Sequence, residues 1–245
     1  MNDFSHVALV TGATGGIGKA IAQRLAEDGF TVFVHYSGHE DKAKAIVSQI
    51  QERGGKAFAV QADVTNVVSV AEMFREVRSL NGKLNVVVHS AGIMPMAKLL
   101  PEGIEAAQKV INTNLIGSVI VMSHAAQWIE TGGSIIALSS SVVAKNFPNY
   151  GGYIASKLGV EGLVRVMANE LAGKNITVNA VAPGPTGTDL FFEGKSEETI
   201  EWFKKQSPLH RLGTPEDIAS AVSMLAGDDG SFVNGQVLRV NGGFA

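Results

Sequence analysis

Short apolar, β-branched runs alternate with longer stretches of helical periodicity along the whole chain, and this alternation restricts the fold more than any other feature. The runs lie at 7–10, 31–34, 57–60, 84–88, 134–138, 176–181 and 236–240. Helical periodicity fills 17–26, 42–50, 67–77, 104–129, 153–171 and 215–226. In the first of these, Ile17, Ile21, Ala22 and Leu25 share one face, the spacing of an amphipathic helix. Strands alternating with helices imply right-handed crossovers and a parallel sheet. The runs are almost wholly apolar, so both faces of that sheet are covered. The expectation is an α/β fold: a doubly wound, parallel, seven-stranded sheet with helices on both faces.

No linker, internal repeat or low-complexity stretch divides the chain, so 1–245 reads as a single domain, a size that α/β folds reach. The segment 185–211 breaks the alternation. It follows the sixth strand and carries Phe191, Phe192, Trp202 and Phe203 among charges. A long insertion at the C-terminal end of a strand reads as a substrate lid. A surface helix packing its aromatics on the core is the alternative.

Composition narrows the function. The chain has no Cys, which excludes a disulfide framework and a Cys nucleophile. Its 20 basic and 23 acidic residues leave a net charge of −3, which argues against binding nucleic acid through phosphates. No apolar run approaches the ~18 residues of a membrane span. The N-terminus has no basic segment followed by an apolar one. A cytoplasmic protein with no membrane partner is expected. The 28 glycines show no Gly-X-Y period, so they point to tight turns and close approach of backbone to a ligand.

One glycine cluster, Thr11-Gly12-Ala13-Thr14-Gly15-Gly16-Ile17-Gly18, joins the first strand to the first helix. Glycines there let the chain turn tightly and let a pyrophosphate approach a helix N-terminus. Further on, Tyr153 and Lys157 lie four apart, on one face of a helix. An ammonium beside a phenol favours phenolate and is expected to draw the Tyr153 pKa toward neutrality. Such a Tyr exchanges protons with a carbonyl or alcohol oxygen. Ser139-Ser140-Ser141 closes the fifth strand. Its hydroxyls suit either the reacting oxygen or a simple turn.

These motifs, with Asn114 and the runs Asn179-Ala180-Val181-Ala182-Pro183-Gly184, 209–219 and 234–243, resemble the short-chain dehydrogenase/reductase family over essentially the whole chain. Within it the chain is most similar to β-ketoacyl-carrier-protein reductases and NADPH-dependent aldehyde or carbonyl reductases. The resemblance implies a Rossmann fold and a catalytic set of Asn114, Ser140, Tyr153 and Lys157. Tyr153 would be the acid in reduction and the base in oxidation. Lys157 would also hold the nicotinamide ribose, and Ser140 would orient the substrate oxygen. Asn114 would bend its helix and hold a water linking Lys157 to solvent. For the cofactor, the resemblance adds to Gly12, Thr14, Gly16, Ile17 and Gly18 the residues Asp63 and Val64 beside adenine. It places Ala91 and Gly92 beneath the dinucleotide. Pro183, Gly184 and Thr186 would meet the carboxamide, and Thr188 would donate a hydroxyl near the nicotinamide.

The chain departs from the family pattern in places. His89-Ser90-Ala91-Gly92 stands where the family often has Asn-Asn-Ala-Gly, and His89 reads as a buried or hydrogen-bonded substitute rather than a catalytic group. Thr186 replaces a common aliphatic residue. His35 and His39 are four apart but share no helical face, so no metal is expected. At the end of the second strand, Tyr36 and Ser37 occupy the place of the acid that holds an NAD ribose. This favours NADP(H), with NAD(H) possible.

The leading reading is an NADP(H)-dependent oxidoreductase acting on a carbonyl or secondary alcohol. A nucleotide-binding redox sensor, or a redox-neutral epimerase or dehydratase on the same scaffold, are the alternatives. Met94, Pro95, Met96, the stretch 147–150 and the lid aromatics suggest an apolar pocket for a small-molecule substrate. A homotetramer is expected. In the helix after Tyr153, one row (Leu163, Met167, Leu171) or the other (Val160, Val164) would pack on the sheet and leave the remaining one for a partner. Ala106, Ala107, Ala125 and Ala126 would permit close helix approach, and 237–245 would supply a second contact.

Overall fold

The structure, a computed structural model, describes residues 6–79 and 83–245. Residues 1–5, read above for a targeting signal, lie outside the described residues. The strands are β1 (Val7–Thr11), β2 (Thr31–Tyr36), β3 (Lys56–Gln61), β4 (Leu84–His89), β5 (Ser134–Leu138), β6 (Thr177–Pro183) and β7 (Val237–Val240). They form one parallel sheet in the order β3-β2-β1-β4-β5-β6-β7. The order reverses between β1 and β4, which opens a crevice at the carboxyl ends of those strands.

The helices are α1 (Gly16–Glu27), α2 (Glu40–Glu52), α3 (Val67–Ser79), α4 (Ile104–Ile111), α5 (Gly117–Trp128), α6 (Gly151–Glu170), α7 (Asp189–Phe192), α8 (Glu197–Gln206) and α9 (Pro215–Ala226). All five residues of β1 are buried. Because side chains alternate along a strand, Leu9 joins one core with Phe33, Phe74 of α3, Val121 of α5 and Val164 of α6. Ala8 and Val10 join the other with Ile21 and Leu25 of α1, Ile46 of α2 and Val222 of α9. Among the described residues no helix is long and apolar enough to cross a membrane.

The long helix read at 104–129 is broken. Residues Asn112–Ile116 form a π-helical turn between α4 and α5. The widened turn disturbs the backbone ladder, and the Ser118 hydroxyl donates to the Asn114 carbonyl there. Strand β2 runs two residues past its apolar run, to Tyr36, because the pairing with β3 continues through His35 and Tyr36.

The division of α6 into two rows needs correction. Val160 and Val164 are both fully buried, and Leu163 and Met167 pack against that same core. The stripe left outside is Leu158 and Val166, 48% and 56% exposed. Two of the alanines assigned to a partner are also used within the chain. Ala125 is fully buried, and Ala107 abuts Gly152 of α6, where a Cβ would come within 3.0 Å of the Ala107 Cα. A helix resting on a twisted sheet buries a wider arc than one row.

Candidate active site

A cleft of about 860 Å³ opens at the switch point between β1 and β4. Gly12, Thr14, Gly16, Ile17 and Gly18 line one end. Gly12 has a φ of +65°, and a Cβ there would lie 2.6 Å from the Ala91 Cα, so only glycine lets the turn pass this close to the loop after β4. The N-terminus of α1 has no side-chain cap and no acidic residue in its first turn. Its uncapped N–H groups and the positive end of the helix dipole therefore suit an anionic group. That arrangement fits a pyrophosphate.

Tyr36, Ser37, Asp63 and Val64 line the wall beyond the glycine turn, and Ala91 and Gly92 form the floor. Asp63 accepts from the Thr65 N–H at 2.9 Å and from the Thr65 hydroxyl at 2.8 Å, which fixes the turn into α3. Pro183, Gly184, Thr186 and Thr188 line the far side with Ser140, Tyr153 and Lys157. The Thr186 hydroxyl donates to the Gly184 carbonyl at 2.9 Å. The Thr188 hydroxyl caps α7, accepting from the Phe191 N–H at 3.2 Å, and a hydroxyl that accepts still has its proton to donate.

The helix α6 presents Tyr153 and Lys157 one turn apart on the face toward β5. Lys157 is 6% exposed and donates to the Leu138 carbonyl at 2.7 Å. Ser140 follows that strand end, its hydroxyl accepts from the Val142 N–H at 3.4 Å, and it lies on the same side of the cleft as Tyr153. Asn114 sits one layer behind. Its Oδ1 accepts from the Ile93 N–H at 2.8 Å, and its amide donates to the Ile93 carbonyl at 2.9 Å and to the Ser156 hydroxyl at 3.3 Å. The residue thus clamps the loop after β4 to α6. Gly92 passes between this amide and Lys157, where a Cβ would lie 3.2 Å from the Asn114 Oδ1 and 3.6 Å from the Lys157 Nζ.

The electrostatics correct one expectation. The Tyr153 phenol is not drawn down toward neutrality. Burial pushes it up to about 12, and the nearby Ser140 hydroxyl only partly opposes this. The Lys157 ammonium lies 5.8 Å from the phenol ring centroid and is turned to the Leu138 carbonyl. Burial lowers Lys157 itself to about 8. Desolvation is the largest cause of each shift.

The two histidines near the site are structural in different ways. The His89 Nδ1 lies 2.8 Å from the Thr11 hydroxyl, as a hydrogen-bonded substitute should. Burial, then the nearby Lys157 charge, lowers it to about 3. His35, set aside above as a metal ligand, is 1% exposed and bonded through both ring nitrogens. Sequence reading missed its place in the cleft wall, because no local pattern ties it to the glycine turn. The substrate end is apolar. Ile93, Met94, Val142, Tyr150, Leu190, Phe191 and Phe203 line it, and Phe203 packs edge-on to Phe147 and Phe191. Tyr150 belongs to the stretch 147–150 expected above, whereas Val142 carried no sequence signal of its own.

The profile of the family described as enoyl-(acyl carrier protein) reductase matches residues 12–245. A short-chain type dehydrogenase/reductase of Picea abies is 42% identical over 97% of this chain and 92% of its own. The chain belongs to the short-chain dehydrogenase/reductase family. Members are oxidoreductases that act on CH–OH or carbonyl groups with NAD(P). The 3-oxoacyl-(acyl-carrier-protein) reductase of Staphylococcus aureus (strain Mu50) is 42% identical, covering 96% of each chain. A short-chain dehydrogenase from Burkholderia cenocepacia, solved in complex with NADP, superposes with a TM-score of 0.91 at 31% identity, covering 99% of each chain.

Proposed function

We propose that this protein is an NADP(H)-dependent reductase of a carbonyl group, reversible as a secondary-alcohol dehydrogenase, with Tyr153 as the proton donor and acceptor. The observation that carries this reading is the Ser140–Tyr153–Lys157 cluster, which lines one side of a cleft whose other end is an uncapped helix N-terminus. When bound, the nicotinamide supplies or takes the hydride. Ser140 holds the substrate oxygen beside the phenol, and Tyr153 gives that oxygen a proton. The protonated phenol acts as the acid in reduction and the phenolate as the base in oxidation. Lys157, held by the Leu138 carbonyl, is placed to hold the nicotinamide ribose, and Asn114 fixes the helix that carries Tyr153 and Lys157.

The adenosine end favours NADP(H). Tyr36, Ser37, Gly38 and His39 line it, and no carboxylate stands at the β2 end to repel a 2′-phosphate. The nearby Glu40 pairs with Lys44 at 2.7 Å, which offsets its charge. The 185–211 segment acts as a lid, since Leu190, Phe191 and Phe203 wall the substrate end. That apolar lining suits an uncharged small molecule.

Screening ketones, aldehydes and acyl thioesters with NADPH tests the reading. Steady NADPH consumption with at least one carbonyl class is expected. Tight NADPH binding with no turnover on any of them would turn the assignment to a sensor.

A further inference from the structure

The last buried residue of β2, His35, holds both halves of the adenosine end together. The His35 Nδ1 accepts from the Gly12 N–H at 3.0 Å, and its Nε2–H donates to the Ala62 carbonyl at 3.1 Å. The His35 carbonyl accepts from the Ala13 N–H at 3.1 Å. One residue therefore anchors the glycine turn twice and the exit of β3 once.

The bonds dictate the protonation state. A backbone N–H only donates, so Nδ1 carries a lone pair. A carbonyl only accepts, so the proton sits on Nε2. The neutral Nε2–H imidazole satisfies both partners, whereas an imidazolium would point Nδ1–H at the Gly12 N–H. The titratable groups that act on the ring are Asp63 at the end of β3 and His89 on β4, while β1 offers the non-ionising Thr11 and Gly12. Burial lowers the imidazole to about 4.

The two anchored segments face different parts of one ligand. Gly12 opens the turn that suits the pyrophosphate. Ala62 precedes Asp63 and Val64, which line the wall beside it. Gly12 cannot shift toward β4, because it already abuts Ala91. Backbone bonds tie both segments to β2, Ala13 N–H to the His35 carbonyl and Ala62 N–H to the Tyr36 carbonyl, each 3.1 Å, and the imidazole adds the direct link between turn and wall.

We propose that His35 is a positioning residue for the adenosine-diphosphate half of the dinucleotide, its neutral ring fixing the distance between the Gly12 turn and the Ala62–Asp63 wall. The proposal rests on the NADP(H) reading above. The test compares His35→Phe, which fills the space but leaves the Gly12 N–H and Ala62 carbonyl without partners, with His35→Asn, whose Oδ1 can replace Nδ1 toward Gly12.

Fluorescence titration with NADPH is expected to show binding weakened roughly tenfold or more in His35→Phe. Binding in His35→Asn should fall between that and the wild type. The KM for NADPH should rise with the dissociation constant, and kcat should change far less. A folded His35→Phe that melts lower but binds NADPH as tightly as the wild type overturns the proposal and makes His35 a fold residue only. Imidazole nitrogen NMR of the wild type keeps the idea testable if that variant does not fold. An Nε2–H tautomer unchanged from pH 6 to 9 is expected, and an Nδ1–H tautomer or an imidazolium at pH 7 overturns it. A wild type that binds neither NADPH nor NADH would sink the dinucleotide reading instead, which separates the two failures.

Discussion

Tyr153 carries a hydroxyl that the proposed chemistry uses and a ring that it does not. Tyr153→Phe is therefore expected to reduce kcat by several orders of magnitude while NADPH still binds, as read by turnover assays beside fluorescence titration. Near-normal turnover would remove the proton-transfer role. The cofactor preference also rests on single residues. Ser37 stands in the cleft wall at the end of β2, and a carboxylate there would repel a 2′-phosphate and hold a 2′-hydroxyl. Ser37→Asp should raise the ratio of kcat/KM with NADH over NADPH by at least tenfold. An unmodified protein that prefers NADH would overturn the assignment. Both residues were legible in the sequence, because each belongs to a motif of short span. His35 was not, since its partners Gly12 and Ala62 lie 23 and 27 positions away.

Among the elements, α9 shows how local chemistry sets a boundary that the sequence predicts to the residue. Thr214 accepts from the Asp217 N–H at 3.2 Å, and the Asp217 carboxylate accepts from the Thr214 N–H at 2.8 Å. This is a reciprocal capping box, with Pro215 in the first turn. Thr214→Ala is expected to cost about 1 kcal/mol, measured by chemical denaturation. Asp217 also accepts from Arg211 at 3.0 Å. The Arg211 guanidinium, with the Thr214 N–H, holds its carboxyl down from 3.8 to about 2. A depressed folded value means stability that is full above 3.8 and lost as the pH falls toward 2. The stability difference between the wild type and Asp217→Asn should shrink across that window, and a constant difference would show that the charge plays no part. The α4–α5 region was less legible. Its apolar spacing continues through Asn112–Ile116, so periodicity reads one helix where a π-helical turn separates two.

The whole molecule leaves an apolar surface on one side of the sheet. Ile104 of α4, Val119 of α5, and Leu158 and Val166 of α6 are 54%, 39%, 48% and 56% exposed. These belong to neighbouring helices, since α4 packs on α6. Two copies related by a two-fold axis would bury the stripe as a four-helix contact. The β7 strand is the sheet edge, and the nearby Phe232 is wholly exposed, which supplies a separate two-fold surface. We expect a tetramer. Light scattering should give four times the 25.7 kDa of one chain, and Leu158→Arg with Val166→Arg should reduce it to two. A wild-type mass of one chain would refute both contacts.

The amino-acid sequence by itself determined the seven strands and the six helical stretches that alternate with them, the glycine turn, and the pairing of Tyr153 with Lys157. These depend on periodicities of two and 3.6 residues and on a spacing of four, all of which are local. Tertiary structure decided which face of α6 meets the core, because that depends on the sheet beneath it. It decided that Phe203 of α8 would meet Phe147 edge-on and Phe244 at a tilt, rings that come from two other segments. It also decided the protonation of the site. Tyr153, Lys157 and His35 owe their shifts chiefly to burial, and burial is a sum over neighbours that the chain brings together only when it folds.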